Sequence, residues 1–385
     1  MMAAKLEVKS KRRKNDAINL LILICAVSLV GVYLIATTVL IAKDGVMYIE
    51  YAKKLAVEPA KAMRDVSSAP GYSFLICSTN KLINLFYEES SLKSWIISAQ
   101  VVSLAGKVIA TVALYFVGSL LVGRRMSFWA ILILTILPVP AEYGSDALTE
   151  WPHIMLLAMG FWLLLLGARF SKWWIFGCVG LIAGLGYLIR PECCQLVIYG
   201  TAWLLFNLIR PQNKMCRVKA TGALILLLAG FAVIAVPYMR FMGYIFPEQC
   251  IGRLALLDST AGCDFNPTNV LTKYFASLVP ATLAKGIGKL SDNICKILMY
   301  YFVPFFLIGI YSRFKRYNIT SAERFFIPIL VLLNTGVLIW LYCKTGFMSK
   351  RHTLPLVSLT IFYVPIGLQV ISDLLTGGTS SNGNK

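Results

Sequence analysis

The feature that most constrains the fold is an uncharged stretch from residue 19 to residue 42, which Lys43 and Asp44 follow at once. At about 1.5 Å per residue, a helix over this stretch is long enough to cross the roughly 30 Å hydrocarbon core of a bilayer. Asp44 therefore lies where hydrocarbon gives way to water. A carboxylate at that depth can stay ionised and can face the head groups at the membrane surface.

The whole chain has the composition of a polytopic membrane protein. Hydrophobic residues make up 58% and charged residues 14% of its 385 residues, which is far from the balance of a soluble domain. The apolar runs predict an all-α polytopic membrane protein with about ten transmembrane helices. These runs lie near residues 19–42, 95–122, 128–142, 151–168, 173–189, 193–209, 220–239, 297–311, 325–343 and 353–372.

The distribution of lysine and arginine predicts the orientation of these helices. Basic residues are concentrated in one alternate set of short connections, and such connections are usually cytoplasmic. We therefore expect residues 1–18 to form a basic cytoplasmic tail, residues 19–372 the transmembrane domain and residues 373–385 a flexible cytoplasmic tail. Both termini are cytoplasmic in this topology, and we expect the bacterial inner (cell) membrane. This topology predicts two long external loops, at residues 43–94 and 241–296.

The first external loop contains two segments that are amphipathic at helical spacing, one beginning at Tyr48 and one at Phe74. A turn formed by Pro70 and Gly71 separates them. We expect both segments to form helices at the membrane interface.

Several other classes of function find little support in the sequence. The net charge is +19, but the basic residues are scattered among apolar runs, and this pattern argues against nucleic acid as a partner. Glu150 and His153 have a spacing that permits metal ligation, although a lone helical pair is more often structural. Cys250 and Cys263 share the second external loop, where a disulfide is one alternative and two free thiols the default.

Lys107 falls inside the second apolar run. A charged side chain at that depth is expected to reach the interface, to face a wet cavity or to pair with an acid.

The charged residues with potential for chemistry collect on the predicted external side. Each of them alone is readily explained as a helix-boundary residue, but acids and bases gathered at one membrane face favour an anionic ligand that arginine holds beside a carboxylate. The members of this set are Asp44, Asp146, Glu150, Arg190, Lys350, Arg351 and His352.

Four short motifs around these residues resemble the GT-C superfamily of membrane glycosyltransferases, and its family 39 branch (dolichyl-phosphate-mannose-protein mannosyltransferase-like) in particular. The first is Asp-Gly-x-x-Tyr-x-x-x-Ala from Asp44, followed by Pro-Gly-Tyr at 70–72. The others are an acidic motif at 145–150, a glycine-rich span that ends in Arg-Pro-Glu at 190–192, and an element at 349–355 in which His352 replaces a tyrosine. The resemblance, carried by these motifs in this order, covers about residues 15–372.

The resemblance implies a GT-C-like fold and a glycosyltransferase of the cell envelope that uses a polyprenyl-phosphate-linked sugar as donor. Asp44 would be the general base. Arg190 and Arg351, with Lys350 or His352, would hold the departing phosphate. Asp146 or Glu150 would orient a sugar, or a divalent cation if the enzyme uses one. The acceptor, which is a protein, a lipid or a glycan, stays open.

Two other functions compete with this hypothesis. A transporter or flippase of a lipid-linked or anionic substrate is the main alternative, but it predicts internal repeats and charges near mid-membrane. The sequence contains no convincing repeat, and the candidate charges lie at the surface. A non-enzymatic scaffold of the envelope is the third reading, and it predicts that Arg190 and Arg351 tolerate substitution.

Overall fold

A computed structural model describes residues 2–38, 40–65, 68–85, 91–209, 215–243, 280–316 and 319–376, and these residues are almost entirely helical. The first half contains α1 (Met2–Thr37), α2 (Lys43–Val57), α3 (Pro59–Asp65), α4 (Gly71–Asn84), α5 (Leu92–Leu121), α6 (Arg124–Ile136), α7 (Pro138–Tyr143), α8 (Glu150–Phe170) and α9 (Ile175–Tyr187). A 3₁₀ helix (Pro191–Cys194) then leads into α10 (Gln195–Ile209) and α11 (Arg217–Met242). The last part contains α12 (Pro280–Ile297), α13 (Val303–Arg316), α14 (Ser321–Thr345), α15 (Lys350–Thr360) and α16 (Tyr363–Leu375).

Within the described residues, six helical segments are long and apolar enough to cross a membrane. They are 15–37 of α1, α5, α8, the 3₁₀ helix with α10, α11 and α14. A seventh span results if α15 and α16, which meet at a bend of 58°, are counted together. This confirms the predicted all-α polytopic fold.

The difference from the predicted number of about ten spans comes from short helices. The run at 128–142 is divided between α6 and α7 at Leu137–Pro138, because proline lacks the N–H that would continue α6. The run at 173–189 forms α9, which has only 13 residues. The run at 297–311 begins at the end of α12 and continues in α13, which has 14 residues. Helices of this length are too short to cross a bilayer unaided.

The predicted amphipathic helices of the first external loop are α2 and α4. The buried face of α4 includes Tyr72, Ile76 and Asn80, whereas Phe74 and Leu82 are exposed. The amide of Asn80 donates to the hydroxyl groups of Ser94 and Ser98 on α5. Helix α4 therefore attaches to the bundle through a polar contact and keeps part of its apolar surface outside, as expected at a lipid interface.

The two ends of the bundle carry separate groups of ion pairs. At one end, Asp16 pairs with Arg124 and accepts a hydrogen bond from Tyr115, and Arg313 pairs with the fully buried Glu323 at 2.8 Å. The other end begins where α1 stops, and it carries Asp44. The predicted external charges are therefore at the end of the bundle opposite to these structural pairs.

Lys107 adopts none of the three arrangements expected for a charge in a membrane span. Its side chain is 1% exposed, and its Nζ has no hydrogen-bond partner among the described residues. The ammonium group lies over the ring of Trp151, 5.5 Å from the centroid. Its aliphatic stem packs directly against Gly144. A cation–π contact therefore takes the place of a carboxylate.

Some predictions concern residues outside the described ranges. Cys250 and Cys263, most of the predicted loop at 241–296 and residues 377–385 of the predicted C-terminal tail lie there. The eight cysteines that the structure describes are free thiols.

Candidate active site

The centre of the candidate site is an ion pair between Asp44 and Arg351. Nη1 of Arg351 donates to Oδ2 of Asp44. Asp44 lies in the first turn of α2, and Arg351 lies in the first turn of α15. The positive end of the α2 dipole favours a carboxylate at this position. The Asp44 side chain is 41% exposed, so a substrate group can reach it.

Glu150 connects this pair to a second arginine. Its Oε1 lies 3.4 Å from Nη1 of Arg190 and 4.0 Å from Nε of Arg351. Only 4% of the Glu150 side chain is exposed, and its Oε2 is buried without a hydrogen-bond partner among the described residues. One buried carboxylate thus lies between two guanidinium groups, at the beginning of α8.

Arg190 also contacts Glu192, whose Oε1 lies 3.2 Å from Nη2. Burial opposes the charge of Arg190, but the carboxylates of Glu192 and Glu150 outweigh it and raise the pKa of Arg190. A guanidinium group that stays charged at every physiological pH is suited to bind an anion.

The close approach of α2 to the 145–149 segment brings these residues together. A Cβ atom on Gly45 would lie 2.8 Å from Cβ and 2.9 Å from the carbonyl oxygen of Ala147, so only glycine fits at this contact. On the other side of that segment, Ser103 of α5 donates to the carbonyl of Leu148 at 2.8 Å. The segment that leads into Glu150 is therefore held between α2 and α5.

Asp146 has a structural role in the described structure. Its Oδ1 accepts hydrogen bonds from the backbone N–H groups of Ala42, at 3.1 Å, and Ala147, at 2.7 Å. These bonds tie the residue before α2 to the acidic segment. The predicted contact of Asp146 with a substrate stays a prediction.

Two aromatic residues pack against each other next to the charge cluster. The rings of Tyr48 and Tyr72 meet edge to face at 5.2 Å, and the hydroxyl of Tyr72 bonds to Ser103 and to the carbonyl of Ala99. Burial raises the pKa of Tyr48, and Arg190, Glu150 and Asp44 all act on its hydroxyl. A protonated phenol thus borders the charge cluster.

Two residues of the site were absent from the predicted set, Tyr48 and Glu192. Both are part of motifs that the sequence contains, Asp-Gly-x-x-Tyr and Arg-Pro-Glu. Their places in these motifs are the signal that could have identified them.

The remaining predicted residues border the cluster in different ways. The charges of Arg190, Glu192, Arg351 and Asp44 act on His352, whose Nδ1 binds Ser349 at the start of α15. Lys350 is partly exposed and makes no ion pair with a described residue. His153 is buried on the same helix as Glu150, and both of its ring nitrogens lack a hydrogen-bond partner among the described residues.

The described acids do not assemble a metal site. The described part of the chain contains no group of three or more His, Cys, Asp or Glu side chains that could hold a metal ion. The physical reason is that Asp44 and Glu150 face arginines, while Asp146 is used by backbone amides. The predicted divalent cation stays a prediction.

Fold and site together define a polytopic membrane protein with a cluster of acids and arginines at one end of its bundle. A family model described as dolichyl-phosphate-mannose-protein mannosyltransferase matches residues 82–237. This range includes Glu150, Arg190 and Glu192, but it ends before Arg351 and begins after Asp44. No curated protein matches the chain.

Solved structures of an archaeal oligosaccharyltransferase from Archaeoglobus fulgidus have the same fold. The structure of AglB with an inhibitory peptide and a dolichol-phosphate superimposes with a TM-score of 0.59 at 13% identity, covering 95% of this chain and 52% of that one. The complex with Zn and sulfate superimposes with a TM-score of 0.59 at 13% identity, covering 92% of this chain and 49% of that one. The chain thus spans about half the length of the solved structures it matches. These comparisons confirm the resemblance to the GT-C superfamily.

Proposed function

We propose that this chain is a glycosyltransferase that transfers a sugar from a polyprenyl-phosphate-linked donor to an acceptor hydroxyl at the extracytoplasmic face of the membrane. The observation that carries the proposal is the arrangement of Asp44, Arg351, Glu150 and Arg190. An accessible carboxylate lies beside one arginine, and a buried carboxylate connects that arginine to a second one. The acceptor is a protein, a lipid or a glycan.

In this mechanism Asp44 is the general base. Its carboxylate takes the proton of the acceptor hydroxyl as the acceptor oxygen attacks the anomeric carbon of the donor sugar. The bond between the anomeric carbon and the phosphate oxygen breaks, and its electron pair leaves with the polyprenyl phosphate. Attack from the face opposite to the leaving group inverts the configuration of the sugar.

Arg351 and Arg190 stabilise the negative charge of the departing phosphate. The entering phosphate competes with Asp44 for Arg351, which frees the Asp44 carboxylate to face the acceptor on the opposite side of the anomeric carbon. Because a phosphate leaves as a stable anion, the reaction needs no strong general acid, unlike glycoside hydrolysis with its two carboxylates.

Glu150 keeps the two arginines close together before the substrate binds. Two like charges near each other repel, and the carboxylate between them offsets that repulsion. Oε2 of Glu150, which has no hydrogen-bond partner within the described ranges, is also available to accept a hydrogen bond from a sugar hydroxyl. This is the orienting role that the sequence predicted for Glu150.

The proposal is tested with the purified full chain and a panel of polyprenyl-phosphate sugars, with mass spectrometry of the lipid products. We expect release of free polyprenyl phosphate from at least one donor, by transfer or by slow hydrolysis. A variant with both Arg190→Ala and Arg351→Ala should release none, whereas Glu58→Gln, at an exposed position outside the site, should match the parent protein. Substrate counterflow in sealed vesicles without any covalent product would instead establish the transporter.

A further inference from the structure

A cavity of about 430 Å³ lies between α6 and α16, at the end of the bundle opposite to the candidate active site. Its place at that end follows from Arg124, the neighbour of the lining residue Arg125, because Arg124 pairs with Asp16. The volume falls within the range of about 300–1,000 Å³ that is usual for small-molecule sites. The proposed reaction uses no residue of this cavity.

The lining of the cavity changes from polar to apolar with depth, because α6 and α16 run along it in opposite directions. Arg125 lies in the first turn of α6, and Asp373 lies in the last turn of α16. Ile133 and Pro365, which also line the cavity, lie eight positions further into the two helices, or about 12 Å along a helix axis. The cavity therefore has a charged mouth and an apolar interior, which is the polarity of a membrane lipid.

The mouth carries two opposite charges that the protein does not pair. Arg125 and Asp373 are both exposed, and neither makes an ion pair or a side-chain hydrogen bond with a described residue. Arg124, by contrast, is paired with Asp16. An anionic head group would be attracted by Arg125 but repelled by Asp373, whereas a head group with both charges is attracted by both residues. Charge complementarity therefore favours a zwitterionic ligand.

A tryptophan indicates the depth of the cavity in the membrane. Trp129 lines the cavity one helical turn inside Arg125, and it is 48% exposed. Tryptophan is enriched at the level of the lipid head groups, where its ring is half in water and half in hydrocarbon. Beyond Trp129 the lining continues with Ile133 and Leu368. The mouth therefore lies at the level of the head groups, and the interior lies at the level of the acyl chains.

We propose that this cavity binds one phospholipid with a zwitterionic head group, from the leaflet at this end of the bundle, which is the cytoplasmic leaflet in the predicted topology. The phosphate contacts the guanidinium group of Arg125, and the ammonium group contacts the carboxylate of Asp373. The amide of Gln369, which also lines the cavity, donates to a phosphate or ester oxygen. One acyl chain follows the apolar lining.

A lipid in this cavity joins two parts of the chain that lead to the candidate active site. Helix α6 continues through α7 into the segment before Glu150, and α16 follows α15, which carries Arg351. A ligand that binds only the folded protein raises its apparent stability by mass action. We therefore expect the lipid to raise the thermal midpoint of the full chain.

Native mass spectrometry of the purified full chain in detergent measures the binding. The protein is titrated with dioleoyl-phosphatidylethanolamine, which is zwitterionic, or with dioleoyl-phosphatidylglycerol, which has the same acyl chains but an anionic head group. We expect one saturable site for phosphatidylethanolamine and at least about tenfold weaker binding of phosphatidylglycerol, because repulsion replaces one charged contact. Equal affinities for the two lipids, as in nonspecific binding, would overturn the proposal.

Two variants test whether the preference arises in the cavity. Arg125→Ala should weaken the binding of phosphatidylethanolamine by about tenfold and abolish the rise in thermal midpoint. Asp373→Asn should make the affinities for the two lipids similar. The matched control is Arg324→Ala, at an exposed position that lies at the same end of the bundle but does not line the cavity. The control should bind both lipids as the parent does.

All three substitutions are at exposed positions, so parent-like thermal midpoints in lipid-free detergent should show that the variants fold. Parent-like affinity and selectivity in both cavity variants would overturn the proposal. An equal loss in Arg324→Ala would also overturn it, because the preference would then come from the charge of the whole surface. The binding measurement does not use donor turnover, so its result is independent of the proposed function.

Discussion

Asp44 and Arg351 lie 307 positions apart in the sequence, and their side chains form an ion pair at the end of the bundle. Asp44 lies in the first turn of the first helix after the first span. Arg351 lies in the first turn of α15, the first helix of the bent pair α15–α16. Glu150 extends the pair to Arg190. The first, middle and last parts of the chain therefore each contribute charge to one cluster.

Glu150→Gln tests whether this buried carboxylate organises the two arginines. The substitution keeps the shape of the side chain but removes the charge that both guanidinium groups approach. We expect a loss of stability of about 3 kcal/mol, as for the removal of one partner of a buried ion pair, together with at least tenfold weaker donor turnover. Thermal unfolding and lipid-phosphate release measure the two effects. Unchanged values for both would remove Glu150 from the site.

Gly45→Ala tests the contact that places Asp44. The added methyl group would meet Ala147 at 2.8 Å, so α2 must move away from the segment before Glu150. We expect a stability loss of about 1–3 kcal/mol and lower turnover. The matched control is Gly288→Ala in α12, where a Cβ meets nothing within 4 Å. The control should keep full turnover and gain up to about 1 kcal/mol from helix propensity. Equal behaviour of the two variants would contradict the packing argument.

Lys107 provides a test of how a buried charge is tolerated in this bundle. Lys107→Met keeps most of the stem but removes an ammonium group that has no hydrogen-bond partner among the described residues. Desolvation of such a group costs several kcal/mol, while a cation–π contact returns about 0.5–2 kcal/mol. We therefore expect Lys107→Met to raise the thermal midpoint. Lys107→Ala should lower it, because truncation leaves a cavity beside Gly144 and costs about 2 kcal/mol or more. A Lys107→Met variant as unstable as Lys107→Ala would mean that the charge itself stabilises the fold.

The orientation of the bundle is tested by labelling with a membrane-impermeant maleimide in a background without native cysteines. Glu58→Cys lies at the end that carries the site, and Lys172→Cys lies at the opposite end, and both positions are exposed. We expect Glu58→Cys to be labelled in intact cells and Lys172→Cys only after permeabilisation. The reverse pattern would place the site in the cytoplasm and exclude extracytoplasmic transfer.

Much of the site could be predicted from the sequence because membrane topology restricts where charges can lie. Asp44, Glu150, Arg190 and Arg351 each follow or precede an apolar run, and a topology in which every predicted run crosses the membrane puts all four at one face. Their order in the chain also matches the motifs of the GT-C superfamily. That these four residues lie near one another, although they are distant in the chain, could therefore be predicted without knowledge of the packing.

The pairing within the cluster could not be predicted, because it depends on packing between distant segments. The backbone N–H of Ala42 donates to Asp146, and this hydrogen bond requires α2 to approach the 145–149 segment closely at Gly45. The capping role of His352 depends on where α15 begins, which its sequence leaves ambiguous by a few residues. The number of spans could not be predicted either, because a single proline can divide an apolar run of adequate length, as between α6 and α7.

In the proposed mechanism Asp44 acts as the base while Arg351 holds the phosphate. The kinetics of Asp44→Asn and Arg351→Gln with one active donor distinguish these two roles. Removal of a general base should lower kcat by at least about 10² and leave KM near the parent value. Removal of a guanidinium group that both binds the donor and stabilises the departing phosphate should raise KM and also lower kcat. A parent-like kcat for Asp44→Asn would contradict the assignment of the base, and with it the proposed mechanism.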